Sequence, residues 1–204
     1  MFKQQWKPST LLNPVPVVMV TCSDKDGKSN IITLAWAGTV NSEPPMVSIS
    51  VRKERYSHQL IKDRGEFVIN LTTRKLARAT DLCGVKSGRD TDKFELTKLT
   101  KEKASKVDVP LIKESPVNLE CVVRQIIELG SHDMFIAEIT AVDVDETLID
   151  EKGRLDLGKA DLIAYSHGEY WSLEKPLGYF GYSVAKRKSI RKTGNIRKKK
   201  DLRK

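Results

Sequence analysis

The sequence is poor in the features that make several functional classes easy to read. It has only three cysteines, Cys22, Cys83 and Cys121, an odd and widely spaced set. Such a set argues against a disulfide scaffold and for a reducing, cytoplasmic setting. No run of about 18 apolar residues occurs, so no membrane partner is expected. Residues 1–8 lack an apolar h-region, so no signal peptide is read. The three histidines, His58, His132 and His167, lie far apart. No Cys or His pair has the spacing of metal ligands, so no metal is assigned. GxSxG and HExxH are missing, so no catalytic nucleophile is assigned. Without GxGxxG a Rossmann nicotinamide domain is disfavoured, and without GxxxxGK[ST] there is no P-loop.

What is present suits a folded chain of one large domain or two small ones. The 204 residues are 39% hydrophobic and 31% charged, enough apolar surface for a core. The formal charge of +9 is unevenly placed. Residues 186–204 hold eleven Lys/Arg and one acid, leaving 25 bases and 26 acids in residues 1–185. The chain therefore divides into a near-neutral body, 1–185, and a basic tail, 186–204, expected to be flexible. Nucleic-acid binding through that tail is a low-ranked alternative, because the body is not basic and has no nucleic-acid motif.

Periodicity predicts mainly antiparallel β-structure with added helices. Residues 15–21 (VPVVMVT) read as a buried strand, and 30–40 as its hairpin partner after a turn at 24–28. Residues 46–51 alternate, with Val47, Ile49 and Val51 on one face and Ser48 and Ser50 on the other. Residues 54–63 read as a short helix, 66–71 as a strand, and 73–83 as a helix with Leu76, Ala79, Thr80 and Cys83 on one face. Residues 85–92 read as a loop and 96–116 as mostly irregular. Residues 118–129 and 134–144 are two long strands around Gly130-Ser131-His132-Asp133. Residues 161–166 and 169–171 are expected as edge strands. Six or seven strands in hairpins favour an antiparallel barrel over a parallel doubly wound sheet.

Two neighbouring strands each carry a small or hydroxyl-bearing face: Thr33, Ala35, Ala37 and Thr39 on one, Ser48 and Ser50 on the other. Such faces leave room for a flat ligand, or simply meet solvent. Arg52, Lys53 and Arg55 precede Ser57 at a helix start, where unpaired N–H groups and the dipole suit an anion. A Ser there is more often only an N-cap. The loop Ser87-Gly88-Arg89 leads into Lys93 and adds two more cations. His132 in its turn can donate a hydrogen bond or carry charge near neutral pH. Cys83 is more simply a buried structural thiol than a reactive one.

The order of these segments resembles the flavin reductase-like family, the FMN-binding split barrels, and most closely its flavoredoxin branch. The resemblance spans residues 14–182 and rests on ordered pieces. These are Asn30-x5-Trp36, Pro44-Pro45-Met46-Val47-Ser48-Ile49-Ser50, Tyr56-Ser57, Gly65-Glu66-Phe67-x-Ile69-Asn70-Leu71, Ser87-Gly88-x3-Asp92-Lys93-Phe94 and Gly130-Ser131-His132-Asp133. It implies a homodimer of split barrels, with one FMN per subunit near the interface. By matched position, Asn30, Thr33, Leu34, Ala35 and Trp36 would meet the isoalloxazine or its edge. Ser48, Ile49, Ser50 and Arg52 would line the flavin and its phosphate arm, and Tyr56 and Ser57 would stand at the phosphate. Ser87, Lys93 and His132 would approach from later loops, with Tyr165 as the aromatic ring over the flavin. A regular strand sends Trp36 to the face opposite Thr33. A bulge or strand end near Gly38 would reunite them, and otherwise Trp36 belongs to the core. The implied activity is electron transfer through FMN, either as an NAD(P)H-linked oxidoreductase or as a carrier serving a protein redox partner.

Overall fold

The computed structural model describes residues 1–173 and 175–185; the basic tail, with the expectations placed on it, lies outside the described residues. The chain divides into two units, Met1–Glu174 and Lys175–Lys204. The first unit contains all the strands of the described residues. They are β1 (Val15–Pro16), β2 (Val18–Ser23), β3 (Ser29–Leu34), β4 (Ala37–Asn41), β5 (Met46–Arg52), β6 (Glu66–Leu71), β7 (Lys101–Glu102), β8 (Leu111–Ile112), β9 (Val117–Glu128), β10 (His132–Val144), β11 (Ile163–Ser166) and β12 (Glu169–Ser172). Three α-helices interrupt them: α1 (Tyr56–Arg64), α2 (Ala77–Val85) and α3 (Lys93–Thr97).

Seven strands form one antiparallel sheet in the order β3-β2-β6-β9-β10-β5-β4. The period of two decides which side chains go inside. Val18, Val20 and Cys22 of β2, Ile32 and Leu34 of β3, Val47, Ile49 and Val51 of β5, and Phe67, Phe135 and Ala137 make the barrel core. The alternation expected in β5 is present: Ser48 and Ser50 are half-buried on its other face. β2 is buried along its whole length because its other face is covered too. Met19 packs with Ile31, Leu76, Cys83 and Phe94 under α2 and α3.

Two expected strands are each split. Residues 15–21 change sheet at Val17: Val15 and Pro16 pair with Tyr165 and Ala164 in a three-stranded sheet β1-β11-β12, while Val18 starts the barrel strand. Pro16 has no N–H for a central ladder, which fits its place on the small sheet. Residues 30–40 break at Ala35 and Trp36, between β3 and β4. The Trp36 carbonyl still accepts the Ser50 N–H at 2.9 Å, so β5 holds the break in place.

The region expected to be irregular, 96–116, is ordered by long-range polar contacts. The buried carboxylate of Glu120 accepts the N–H groups of Ser105, Lys106 and Val107 at 2.6–3.0 Å. The Asn70 side chain accepts the Ile112 N–H at 2.9 Å. α3 follows directly on the loop expected at 85–92, with Asp92 as N-cap to Phe94 and Glu95, and runs into the stretch expected to be irregular.

Candidate functional site

Two adjoining hollows open where β3 breaks, of about 300 and 410 Å³. Both are bordered by Ile32, Arg55 and Gly84, so they form one elongated cleft. Its size falls in the range of small-molecule sites. A larger groove of about 830 Å³ runs past Leu76 and past Ala79 and Leu82 of α2. No sequence motif falls there, its carboxylates Glu114 and Asp145 already accept backbone N–H groups, and Asp161 is paired with Arg74.

The smaller half is cationic on balance, with four cations against the one carboxylate of Glu54. It is built by the start of α1 and the loop from α2 to α3, and lined by Arg55, Lys86, Arg89 and Lys93. α1 has no acidic residue in its first turn, and Arg55 provides no side-chain cap. The helix N–H groups therefore keep their positive end unspent. Ser57 is not the cap; its hydroxyl is buried and accepts the Asn30 Nδ2–H at 2.7 Å. Gly88 lies so close to Asn30 that a Cβ there would stand 2.1 Å from Asn30 Oδ1. The glycine lets the loop close onto β3. Arg89 stacks over the Tyr56 ring at 5.9 Å.

Lys93 is the anchor of this half. Its side chain reaches back from α3 into the body, only 4% exposed. The ammonium donates to the carbonyls of Ile31 and Cys83, both at 2.7 Å. It so ties β3 to α2, and one N–H is left over of the three it carries. Burial pushes its pKa below the usual lysine value, with Arg55 adding to the effect against the opposing pull of Cys83 and Cys22. The thiol of Cys83 is driven up to about 11 by burial despite Lys93, so it stays protonated and inert at neutral pH.

The larger half holds the aromatic side chains, with Trp36, Val85, Tyr165 and Tyr170 in its walls. Tyr165 and Tyr170 meet edge to face at 5.7 Å. The Tyr170 hydroxyl donates to Asp81 of α2 at 3.1 Å; burial, then that carboxylate, raises its pKa to about 12. Arg52 and His132 stand at the other edge. Burial, then Arg52, lowers the His132 pKa, so its imidazole is neutral at neutral pH.

The cleft brings together most of the residues singled out in the sequence. Asn30, Tyr56, Ser57, Ser87 and Lys93 line the cationic half. Thr33, Leu34, Ala35 and Trp36 line the other, with Ser50, Arg52, His132 and Tyr165. The break at Ala35 puts Trp36 on the same cleft as Thr33, where a regular strand would have separated them. The Thr33 hydroxyl is bonded to the Thr80 carbonyl of α2. Ile49 lies elsewhere: its side chain is fully buried in the barrel core. Ser48 borders neither half.

Arg55, Gly84, Asp81 and Tyr170 were not singled out as binding residues, though Arg55 stood among the cations noted before Ser57. Asp81 and Tyr170 meet only through the fold. The same is true of a buried pair behind the cleft, where His58 Nε2 lies 2.8 Å from Asp133 Oδ2. It joins the residue after Ser57 to the residue after His132, linking the two halves of the site.

Residues 11–180 match the flavin reductase like domain family. The structure is similar to flavoredoxin of Desulfovibrio vulgaris (Miyazaki F), with TM-score 0.84 and 33% identity, covering 90% of this chain and 100% of that one. It is also similar to flavoredoxin from Methanosarcina acetivorans, with TM-score 0.82 and 29% identity, covering 91% and 100%. In sequence, an uncharacterised protein of Archaeoglobus fulgidus is 36% identical over 125 residues, 61% of this chain and 71% of that protein.

Proposed function

The chain belongs to the flavin reductase-like family, and from that premise we propose that it is an NAD(P)H-linked oxidoreductase working through FMN. The fold is the family's split barrel and the cofactor is FMN. The observation that carries the reading is the division of one cleft into a cationic half and an aromatic half. A phosphate-bearing flavin has the same two-part chemistry.

The residues present fit that group. Ser57, the uncapped start of α1, Arg55, Arg89 and Lys93 would hold the phosphate by charge-assisted hydrogen bonds. Gly88 would allow the loop close backbone approach there, since a side chain would collide with Asn30. Trp36, Tyr165 and the β3 backbone would flank the ring. Bound FMN supplies the redox chemistry, taking up and releasing electrons through its ring. The protein's part is to fix the ring and offset negative charge at its edge. Arg52 carries fixed charge at that edge, while neutral His132 is suited to a hydrogen bond. The partly exposed walls at Trp36, Val85 and Tyr170 would admit a flat donor.

The same exposed aromatic rim also favours a second reading, a carrier that exchanges electrons with a protein. A homodimer belongs to both. Among the described residues no helix is long and apolar enough to cross a membrane. The test is anaerobic addition of NADH or NADPH to the FMN-loaded protein while the visible flavin bands are recorded. Bleaching without any partner supports the nicotinamide-linked enzyme. Persistent bands refute it in favour of the carrier.

A further inference from the structure

The amino-terminal segment is unlike the rest of the body. Residues 1–12 are all exposed and belong to no strand or helix. Their one backbone bond is local, Leu11 N–H to the Ser9 carbonyl at 3.0 Å. Yet they carry Phe2, Trp6, Leu11 and Leu12, with Trp6 73% exposed and Phe2 fully so. A polar solvated terminus would have no use for these side chains.

Where the segment leaves the body is informative. β1 follows it directly and pairs Val15 with Tyr165, a wall of the aromatic half of the cleft. The segment thus departs from the cleft rim. Twelve extended residues reach about 40 Å, more than the width of a small domain. The exposed receiving surface is at that rim too: Trp36, Val85 and Tyr170. Each copy therefore offers both an apolar arm and an apolar seat, and a two-fold exchange satisfies both at once. The area is adequate. Phe2 and Trp6 would bury about 150–250 Å² each, and with the leucines about 500 Å² per arm. Two arms and their seats come to about 2,000 Å², the size of a stable interface.

We propose that residues 1–12 are an exchanged arm: in the homodimer they cross to the second copy and pack Phe2 and Trp6 on the aromatic rim of its flavin cleft. The cleft of each subunit is then completed by the other, and a donor reaches the flavin over the part of the rim that the arm leaves open. The inference rests on the dimer included in the proposed function.

The experiment places p-benzoyl-phenylalanine at position 6 of the full FMN-loaded chain, with light scattering to give the mass before irradiation. The expected result is a dimer whose irradiation yields a covalent species of twice the chain mass, cross-linked to peptides bearing Trp36 or Tyr170. A dimer cross-linked only within single chains, or not at all, overturns the arm and leaves the dimer standing. A monomeric mass overturns the dimer itself, and the arm with it. As a second measure, deleting residues 2–12 should weaken FMN binding by about tenfold or more. Unchanged mass together with unchanged FMN affinity overturns the proposal.

Discussion

Replacing Lys93 by Met separates the two jobs of the buried ammonium. Met nearly matches the volume, so the cavity effect is small. The substitution leaves the carbonyls of Ile31 and Cys83, each now 2.7 Å from the ammonium, without that donor. An orphaned buried acceptor costs about 1–3 kcal/mol, so two cost about 2–6. Against this, the protein no longer buries a cation, and the depressed lysine pKa shows that this burial is unfavourable. The net expectation is a loss of about 1–3 kcal/mol, or about 2–12 °C in Tm for a chain this size. Ligand binding should suffer differently. Losing one charge-assisted bond to a phosphate costs about 1.5–3 kcal/mol, about 10- to 150-fold in Kd. Riboflavin, which has no phosphate, should lose much less. Fluorescence titration with both flavins and a thermal melt of the flavin-free protein test this together. Equal losses for FMN and riboflavin would refute Lys93 as a phosphate ligand. An unchanged Tm would refute its role as a tie between β3 and α2.

Three further outcomes are expected. Gly88→Ala should push Asn30 away from Ser57 and weaken FMN about tenfold, because its Cβ would fall 2.1 Å from Asn30 Oδ1; undiminished FMN binding in a flavin titration would contradict the close approach. Arg52→Gln should raise the His132 pKa, since Arg52 adds to burial in lowering it; an NMR titration that moves downward would refute this. The Asp133 carboxyl, though burial pushes it up, is held below its ordinary pKa by the hydrogen bond with His58 and by the Lys53 ammonium 3.3 Å away. Its contribution is therefore present above the unfolded carboxylate pKa and lost as pH falls through the folded one. Asp133→Asn should be destabilised near pH 7 and little changed near pH 3; an equal deficit in denaturant melts at both would exclude the ionic explanation.

The barrel was legible wherever one strand face stays buried throughout. The alternation of Val47, Ile49 and Val51 could be read directly, as could the doubly buried run of β2. The breaks at Val17 and Ala35 could not, because each depends on which neighbour supplies the next hydrogen bond. α3 had a local signal, Asp92 ahead of Lys93 and Phe94, but the glycine-containing stretch before it read as a loop. The Glu120 cradle for residues 105–107 joins residues far apart in sequence and leaves no periodic trace. In the site, the cations and Ser57 were readable from their place at a helix start. Asp81 with Tyr170, and His58 with Asp133, are pairs that only folding creates.

β3 and β4 stand at opposite ends of the seven-strand order, although two residues separate them in the chain. Sheet margins of this kind are templates for adding foreign strands. Here α2 and Lys93 cover part of the outer margin of β3 and the rest borders the flavin cleft, so the cofactor adds to the guard over it. The hazard is then greatest in the interval after synthesis and before loading. The expected outcome is a soluble yield that follows the flavin supply during expression.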